Sequence, residues 1–378
     1  MAIDVSVVTT RRDLKRFVTF PIGLLGRFPG YVPPLVSDDV STFSPKKNPA
    51  FEKSEARFFL ARRGGRIVGR LAAILNRPAN EKFGVQNLRF CWLDAEDDAE
   101  VFDALFAAAE SWGRQMGMTT ITGPHGFTDM DPEGMLVEGF DELSTVATIW
   151  TPPWYPVHLE RLGFAKEVDW VEFEATAPRS IPERMQRLAE FALKRNKFRI
   201  ARYRTAGELR KARGQEMFDL IDDVYGDLYG TVPLTDRQKN YYIEKYLPFI
   251  DPAFAKVAVD ENDRMIGFLI SMPSLSRALQ RSRGRLFPFG FIGVLWALKH
   301  VERLDFLLAG VRKEYRNKGV DLVMVVEVFR DALRRGVKVA ESNPELETNT
   351  KIQAEWKFVE NRQHKRRRLY RKAIAPAP

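Results

Sequence analysis

Cysteine is almost missing from this chain. Cys91 is the single thiol in 378 residues, so no internal disulfide can form. The opening stretch MAIDVSVVTTRRDLKRF lacks the continuous apolar segment of a secretion signal, and a reducing cytoplasm is the expected compartment. Histidine is scarce too: His125, His158, His300 and His364 are too dispersed to suggest a metal site, and no metal is expected. No apolar run suffices to cross a bilayer, which takes about 20 residues. The apolar stretch Leu286 to Leu298 is too short for that and contains Pro288 and Gly290. There is no P-loop, and no glycine-rich dinucleotide turn precedes the reductase-like pair Tyr241 and Lys245.

What the chain does have is apolar mass. Hydrophobic residues make up 45%, with 27 Phe and 7 Trp, which excludes disorder for most of the length. The length suggests two domains. Charge is split between them: residues 1–178 carry 19 Lys+Arg against 25 Asp+Glu, net −6, and residues 179–378 carry 40 against 25, net +15. A half with such an excess attracts polyanions, whether cofactor phosphate, an acidic carrier protein, nucleic acid or lipid headgroups. The basic flanks of Leu286–Leu298, RSRGR and Lys299, leave open a shallow contact with anionic lipid; burial in the core is the commoner fate of such a run.

The organisation repeats. Residues 58–75 read as two strands around a Gly-Gly turn, and residues 256–272 as a similar pair in which Ile266-Gly267 takes the place of Val68-Gly69. A further strand and an amphipathic helix follow each pair. The helices, Val101–Met116 and Leu322–Arg335, stop at Gly117 and Gly336 and lead into MTTITGP and VKVAES. A duplicated α/β unit is therefore expected, divided into 1–178 and 179–378, the boundary lying near residues 175–182 (ATAPRSIP), where Pro178 and Pro182 bracket a polar stretch. The tail AIAPAP after Lys372 is expected to be disordered.

The chemical signal is the turn in LDFLLAGVRKEYRNKGVDLVMVVEVFR. A strand runs into Arg316, Asn317, Lys318 and Gly319, and a helix starts at once, so backbone N–H groups, two cations and a glycine meet where a pyrophosphate would sit. The matching place in the first half reads DAEDDAE, Asp94 to Glu100, whose carboxylates repel phosphate. Only the second half is expected to hold an anionic cofactor.

From β-strand through EYRNKG to helix, the passage resembles the acyl-CoA motif of the GNAT N-acyltransferase superfamily, Arg/Gln-x-x-Gly-x-Gly/Ala. Arg316, Asn317, Lys318, Gly319 and Val320 match, and Asp321 departs from the small residue expected there. Gly123-Pro124, GMLVEGFD, TPPWYP, TVPLT, LSRALQRSRGRLFPFG and the ending ES…ETNT…YRK carry a narrower likeness over about residues 55–372. They are similar to a bacterial family of duplicated GNAT-like proteins, one branch of which resembles the bacterial ceramide synthase that N-acylates a sphingoid base.

The resemblance implies tandem GNAT-like domains, each a mixed, mostly antiparallel sheet flanked by helices. It implies acyl transfer from acyl-CoA, or from the phosphopantetheine of acyl carrier protein, to a lipid amine. Within that frame Glu341 is expected to take the amine's proton and Tyr370 to protonate the departing thiolate, while Asn349 contacts the pantetheine arm. Backbone amides of Ala309, Gly310 and Val311 are expected to stabilise the oxyanion. Each has an ordinary alternative: a strand-end carboxylate, a strand aromatic, a helix cap. The PPWYP segment and Tyr225, Tyr229, Tyr241 and Tyr242 offer apolar walls for an acyl chain. Three rivals stand beside this reading. His125 and Asp129 form a His-x-x-x-Asp of another acyltransferase class, whose Asp-Phe-Gly-Trp element is absent. A non-catalytic basic module could hold nucleic acid or a membrane surface, although no helix-turn-helix or RNA-binding signature occurs. A hydrophilic amine could replace the lipid one.

Overall fold

The computed structural model of the protein describes residues 1–376, the side chains of Lys351 and Glu355 apart. The strands are β1 (Ile3–Val7), β2 (Ser54–Arg63), β3 (Arg66–Asn76), β4 (Asn87–Ala95), β5 (Thr120–Gly123), β6 (Met135–Glu138) and β7 (Ala165–Thr176) in the first half. The second half contributes β8 (Arg199–Ala201), β9 (Ala255–Val259), β10 (Met265–Pro273), β11 (Arg303–Val311), β12 (Val339–Glu341), β13 (Glu345–Leu346) and β14 (Asn361–Ala373).

The expected repeat is present in detail. Gly64 and Gly65, at φ +56° and +79°, make the two-residue turn that pairs Arg63 with Arg66 and fixes the β2–β3 register. Gly69 and Gly267 have one role in both halves. A Cβ on Gly69 would lie 2.7 Å from Val101 Cγ1, and one on Gly267 3.0 Å from Val320 Cγ1. Each glycine thus lets the helix of its unit, Ala99–Gln115 or Val320–Arg334, lie directly on the sheet. Both helices end before a left-handed glycine, Gly117 or Gly336.

The strands join one mostly antiparallel sheet in the order β1-β2-β3-β4-β5-β14-β7-β12-β11-β10-β9-β8, with β6 beside β14 and β13 beside β7. The two units meet by exchange. β14, last in sequence, lies against β5 of the first half, and β7 lies against β12 of the second. β7 and β14 pair with each other along the centre, from Ala165 opposite Arg371 to Ala175 opposite Asn361.

Charge is buried at this seam. Lys365 and Arg367, on β14, are fully buried and both bind Glu172 of β7; Lys365 Nζ lies 3.0 Å from Glu172 and also contacts Glu341 of β12. Burial raises the pKa of Glu172, but Arg367 and Lys365 outweigh it and hold the group at about 2.

Two expectations are corrected. The tail is ordered at its start: Ala373 closes β14, and Ile374 is buried in the first core with its N–H bonded to Thr119. Ala377 and Pro378 lie outside the described residues. The Leu286–Leu298 run is not core. It forms the helix Gly290–Lys299 and the turn before it, with Phe287 80% and Phe289 74% exposed and no buried residue in the helix.

Removing one member of a buried ionic network strands the others, at a cost of about 3–5 kcal/mol. Lys365→Met is therefore expected to lower the urea unfolding free energy at pH 7 by about that amount. A smaller loss, under about 1 kcal/mol, would show that the seam does not depend on this charge.

Candidate active site

β11 and β12 run parallel only from Arg303–Val339 to Asp305–Glu341, then part. β4 and β5 do the same after Arg89–Thr122. In the first half the gap is filled: the His125 N–H donates to Phe90 O at 2.8 Å, and a Cβ on Gly123 would lie 2.1 Å from that oxygen. In the second half it opens into a cavity of about 240 Å³. Phe306, Leu307, Leu308 and Ala309 of β11 line it, as do Ser342 to Leu346 beyond β12. The register against β10 slips between Ile270 and Ser271, so β11 bulges at Leu307. This is earlier in the strand than the Ala309–Val311 stretch expected to aim amides at an oxyanion.

The two helix N-termini differ as their sequences suggested. Asp98 caps Ala99–Gln115 with its own carboxylate, accepting from the Glu100 N–H at 3.0 Å. Gly319, at φ +75°, begins Val320–Arg334 with no side-chain cap. Asn317 is also left-handed, at φ +62°, and Asn196 holds the loop by donating to Lys318 O at 2.9 Å. Arg316, Asn317 and Lys318 are exposed around these amides. Asp321 turns back onto the Leu322 N–H at 2.9 Å. Cations, a close-approach glycine and uncapped amides fit a pyrophosphate.

The remaining expected residues divide. Ala309 and Asn349 line the cavity, and Asn349 makes no helix-cap bond. Gly310, packed where a Cβ would meet Val224 at 2.8 Å, and Val311 continue β11 toward the loop. Glu341 does not face the cavity; it is buried between Lys365 and Arg303, the latter at 3.0 Å. Tyr370 is far from its expected role. Strand exchange carries β14 into the first half, where Tyr370 is buried in that core and its hydroxyl donates to Glu160 at 3.2 Å. Tyr155 is likewise core, and Tyr242 bonds Thr128 at 2.6 Å.

Other titratable side chains stand at or near the cavity. The Tyr225 hydroxyl lies at the β11 edge, donating to Ala309 O at 3.0 Å and accepting from Ala309 N–H at 3.3 Å, and burial raises its pKa to about 12. Asp129 and Glu133 reach the cavity from the first half. Nearby, His125 is pushed down to about 4 by burial and by Arg89. Asp305, just before the bulge, is buried with both carboxylate oxygens unpartnered among the described residues. Burial and the Glu341 charge raise it to about 8. Glu345 accepts from Trp356 Nε1 at 2.8 Å, and burial lifts it to about 7. An aspartate inside the apolar string LDFLL was the one such signal visible in sequence.

Two such units joined in one 14-stranded sheet, one strand junction packed shut and the other open, have the architecture of a tandem GNAT fold. The tandem GNAT protein from the clavulanic acid biosynthesis pathway shares this fold, with TM-score 0.60 over 100% of both chains at 14% identity. No protein-family model matches the sequence. Protein YghO of Escherichia coli K12 is 30% identical over 375 residues, 96% of this chain and 94% of that protein. Bacterial ceramide synthase of Caulobacter vibrioides is 29% identical over 384 residues, 98% of each. The chain belongs to the family that Protein YghO represents, and its fold is that of the tandem GNAT proteins.

Carboxylates with raised pKa bind protons more tightly in the folded than in the unfolded chain, so their stabilising effect is complete below the unfolded value and lost as pH climbs through the folded one. His125 opposes this only below its ordinary value of 6.5. The thermal midpoint is therefore expected to fall between pH 6.5 and about 8, the values reached by Glu133 and Asp305, and Asp305→Asn should flatten the profile in differential scanning fluorimetry. A midpoint that rises over this window would contradict the burial of these carboxylates.

Proposed function

We propose that the protein transfers a fatty acyl group from acyl-CoA to the primary amine of a long-chain, sphingoid-type base. The observation that carries this reading is the coincidence on β11 of an apolar cavity at Phe306–Ala309 with a cationic loop and uncapped helix N-terminus at Arg316–Gly319. Apolar walls suit an alkyl chain, and the loop suits the donor's phosphates. The likeness to bacterial ceramide synthase supports the same acceptor class. Acyl carrier protein presents the same phosphopantetheine chemistry and is a second donor compatible with the basic half.

In this reading the unit 179–378 binds the donor, and the unit 1–178 carries no cofactor but closes the acceptor side. Arg316, Lys318 and the amides from Gly319 through Asp321 hold the phosphates. Ala309, Asn349 and the strand edge through Val311 orient the thioester. Tyr225 returns a proton to the leaving thiolate, the role sequence reading gave to Tyr370. The lipid acceptor arrives from an anionic membrane face, with the helix Gly290–Lys299 as contact. Among the described residues no helix is long and apolar enough to cross a membrane. Phe287, Phe289, Ile292, Leu295 and Trp296 are exposed, with Arg281, Arg283, Arg285 and Lys299 flanking them, the pairing of apolar and cationic surface that suits an interface.

With palmitoyl-CoA, thiol release is expected to depend on sphinganine, and Arg316→Ala should weaken CoA binding by about 10–100-fold, the loss of one charged hydrogen bond. Gly319→Trp should abolish it, because φ is positive and a Cβ would lie 2.8 Å from Ala192. Turnover with hydrophilic amines alone would overturn the acceptor assignment; no turnover with no CoA binding would overturn the reading. In sedimentation assays the protein should bind phosphatidylglycerol vesicles over phosphatidylcholine ones, and the pair Phe287→Ser and Trp296→Ser should lose that preference. Equal binding to both vesicle types would exclude the membrane contact.

A further inference from the structure

We infer that Asp129 and Glu133, contributed by the first half, are the amine-recognition wall of the acyl-transfer site, and that Glu133 accepts the proton an ammonium must lose before it can attack. The inference rests on the acyl-transfer reading above and names the acceptor's binding group and base.

The geometry begins at the contact between halves. Gly230 of the second half, at φ +77°, lies where a Cβ would sit 2.7 Å from His125 Cε1, so only glycine lets this loop close over the first half. Lys82 holds the same loop, donating to Gly226 O at 2.7 Å and Thr231 O at 2.8 Å. The closure brings Asp129 and Glu133 into the cavity wall beside Tyr225, Tyr229 and Ala309. Among the described residues neither carboxylate accepts a side-chain hydrogen bond; His125 Nε2 stands 3.7 Å from Asp129 and 3.8 Å from Glu133.

The charges do not balance. Two carboxylates face one cation, Arg89, and its guanidinium is committed to Gly126 O at 3.2 Å and Gly230 O at 2.9 Å, with His125 Nε2 at 3.2 Å. His125 is neutral at physiological pH. From the second half the phenols of Tyr225 and Tyr229, the latter engaged with Glu167 at 3.0 Å, line the same cavity, as does the carboxyl of Glu345, which accepts from Trp356. With Glu133 ionised the wall is one positive charge short, and a ligand ammonium supplies it, which favours that ionised form. Burial, then the Asp129 charge, raises Glu133 to about 8, while Arg89 pulls it down. A base in that range matches the task of deprotonating an amine whose own pKa is about 10.

The step balances. The ammonium gives one proton to the Glu133 carboxylate, and the freed lone pair forms the C–N bond at the thioester carbonyl. The C–S bond breaks with its electrons on sulfur, and the second nitrogen proton ends on the thiolate through Tyr225. The third stays on the amide.

Two measurements test this. In turnover with palmitoyl-CoA and sphinganine, Glu133→Gln should lower kcat by about 100-fold or more and remove the rise of kcat/KM through pH 8, with Glu133→Asp restoring part of both. Retention of wild-type kcat and pH profile in Glu133→Gln would overturn the inference while leaving the acyl-transfer reading intact. Independently of any acyl donor, calorimetry on the whole chain should show n-dodecylamine binding more tightly than n-dodecanol, and Asp129→Asn should weaken only the amine, by about tenfold. Equal binding of amine and alcohol to the wild-type protein would overturn it. Absence of both turnover and CoA binding, with amine selectivity kept, would instead count against the acyl-transfer reading alone.

Discussion

The pairing of β7 with β14 governs the rest of the molecule. Neither strand belongs to the sheet of its own unit: each is the sixth strand of the other. Burying Lys365 and Arg367 in that central position is possible only because Glu172 meets them from the partner strand and Glu341 from the next one. An apolar seam would have left register to side-chain shape alone. A charged seam penalises any slip, because a one-residue shift turns a buried cation away from its carboxylate.

From this seam follows the contrast between the two strand junctions. They are built alike, a bulged strand parting from a short parallel neighbour, yet one is packed shut and the other open. In the first half Phe90, Gly123 and His125 close the gap, and the helix behind it is capped by Asp98. In the second, Gly319 leaves the helix amides available, and Phe306 to Ala309 face open volume. The two units share one frame, and side chains at a few positions make their strand junctions and helix N-termini differ. The register of the two parallel ladders even aligns Arg89 with Asp305. The same strand position carries a cation in the closed unit and an orphaned carboxylate in the open one.

Much of this was legible without coordinates. The hairpin turns, the paired glycines Gly69 and Gly267, the helix stops and the phosphate loop are local features, and local features leave local patterns. Strand exchange leaves none: a basic ending interrupted by Leu369 and Tyr370 suggests that a strand exists but not which neighbour it chooses. For that reason Tyr370 was placed in the wrong half and Glu341 on the wrong side. Glu133 escaped, and Asp129 stood out only by its spacing from His125, because the segment around them has no period and gains its cavity only from a loop some 100 residues later. The Leu286–Leu298 run shows a different limit, since hydropathy measures dislike of water and not whether the fold offers anything else.

The exchange of β7 and β14 also sets an order of events during synthesis. The first unit cannot complete its sheet while the chain is still being made, because the strand that fills its β5 edge is the last of the described strands to be translated. Until then β5 presents an open edge, and β7 waits without either neighbour. The molecule cannot assemble as two beads in sequence; the first sheet is completed only after the second half has been made.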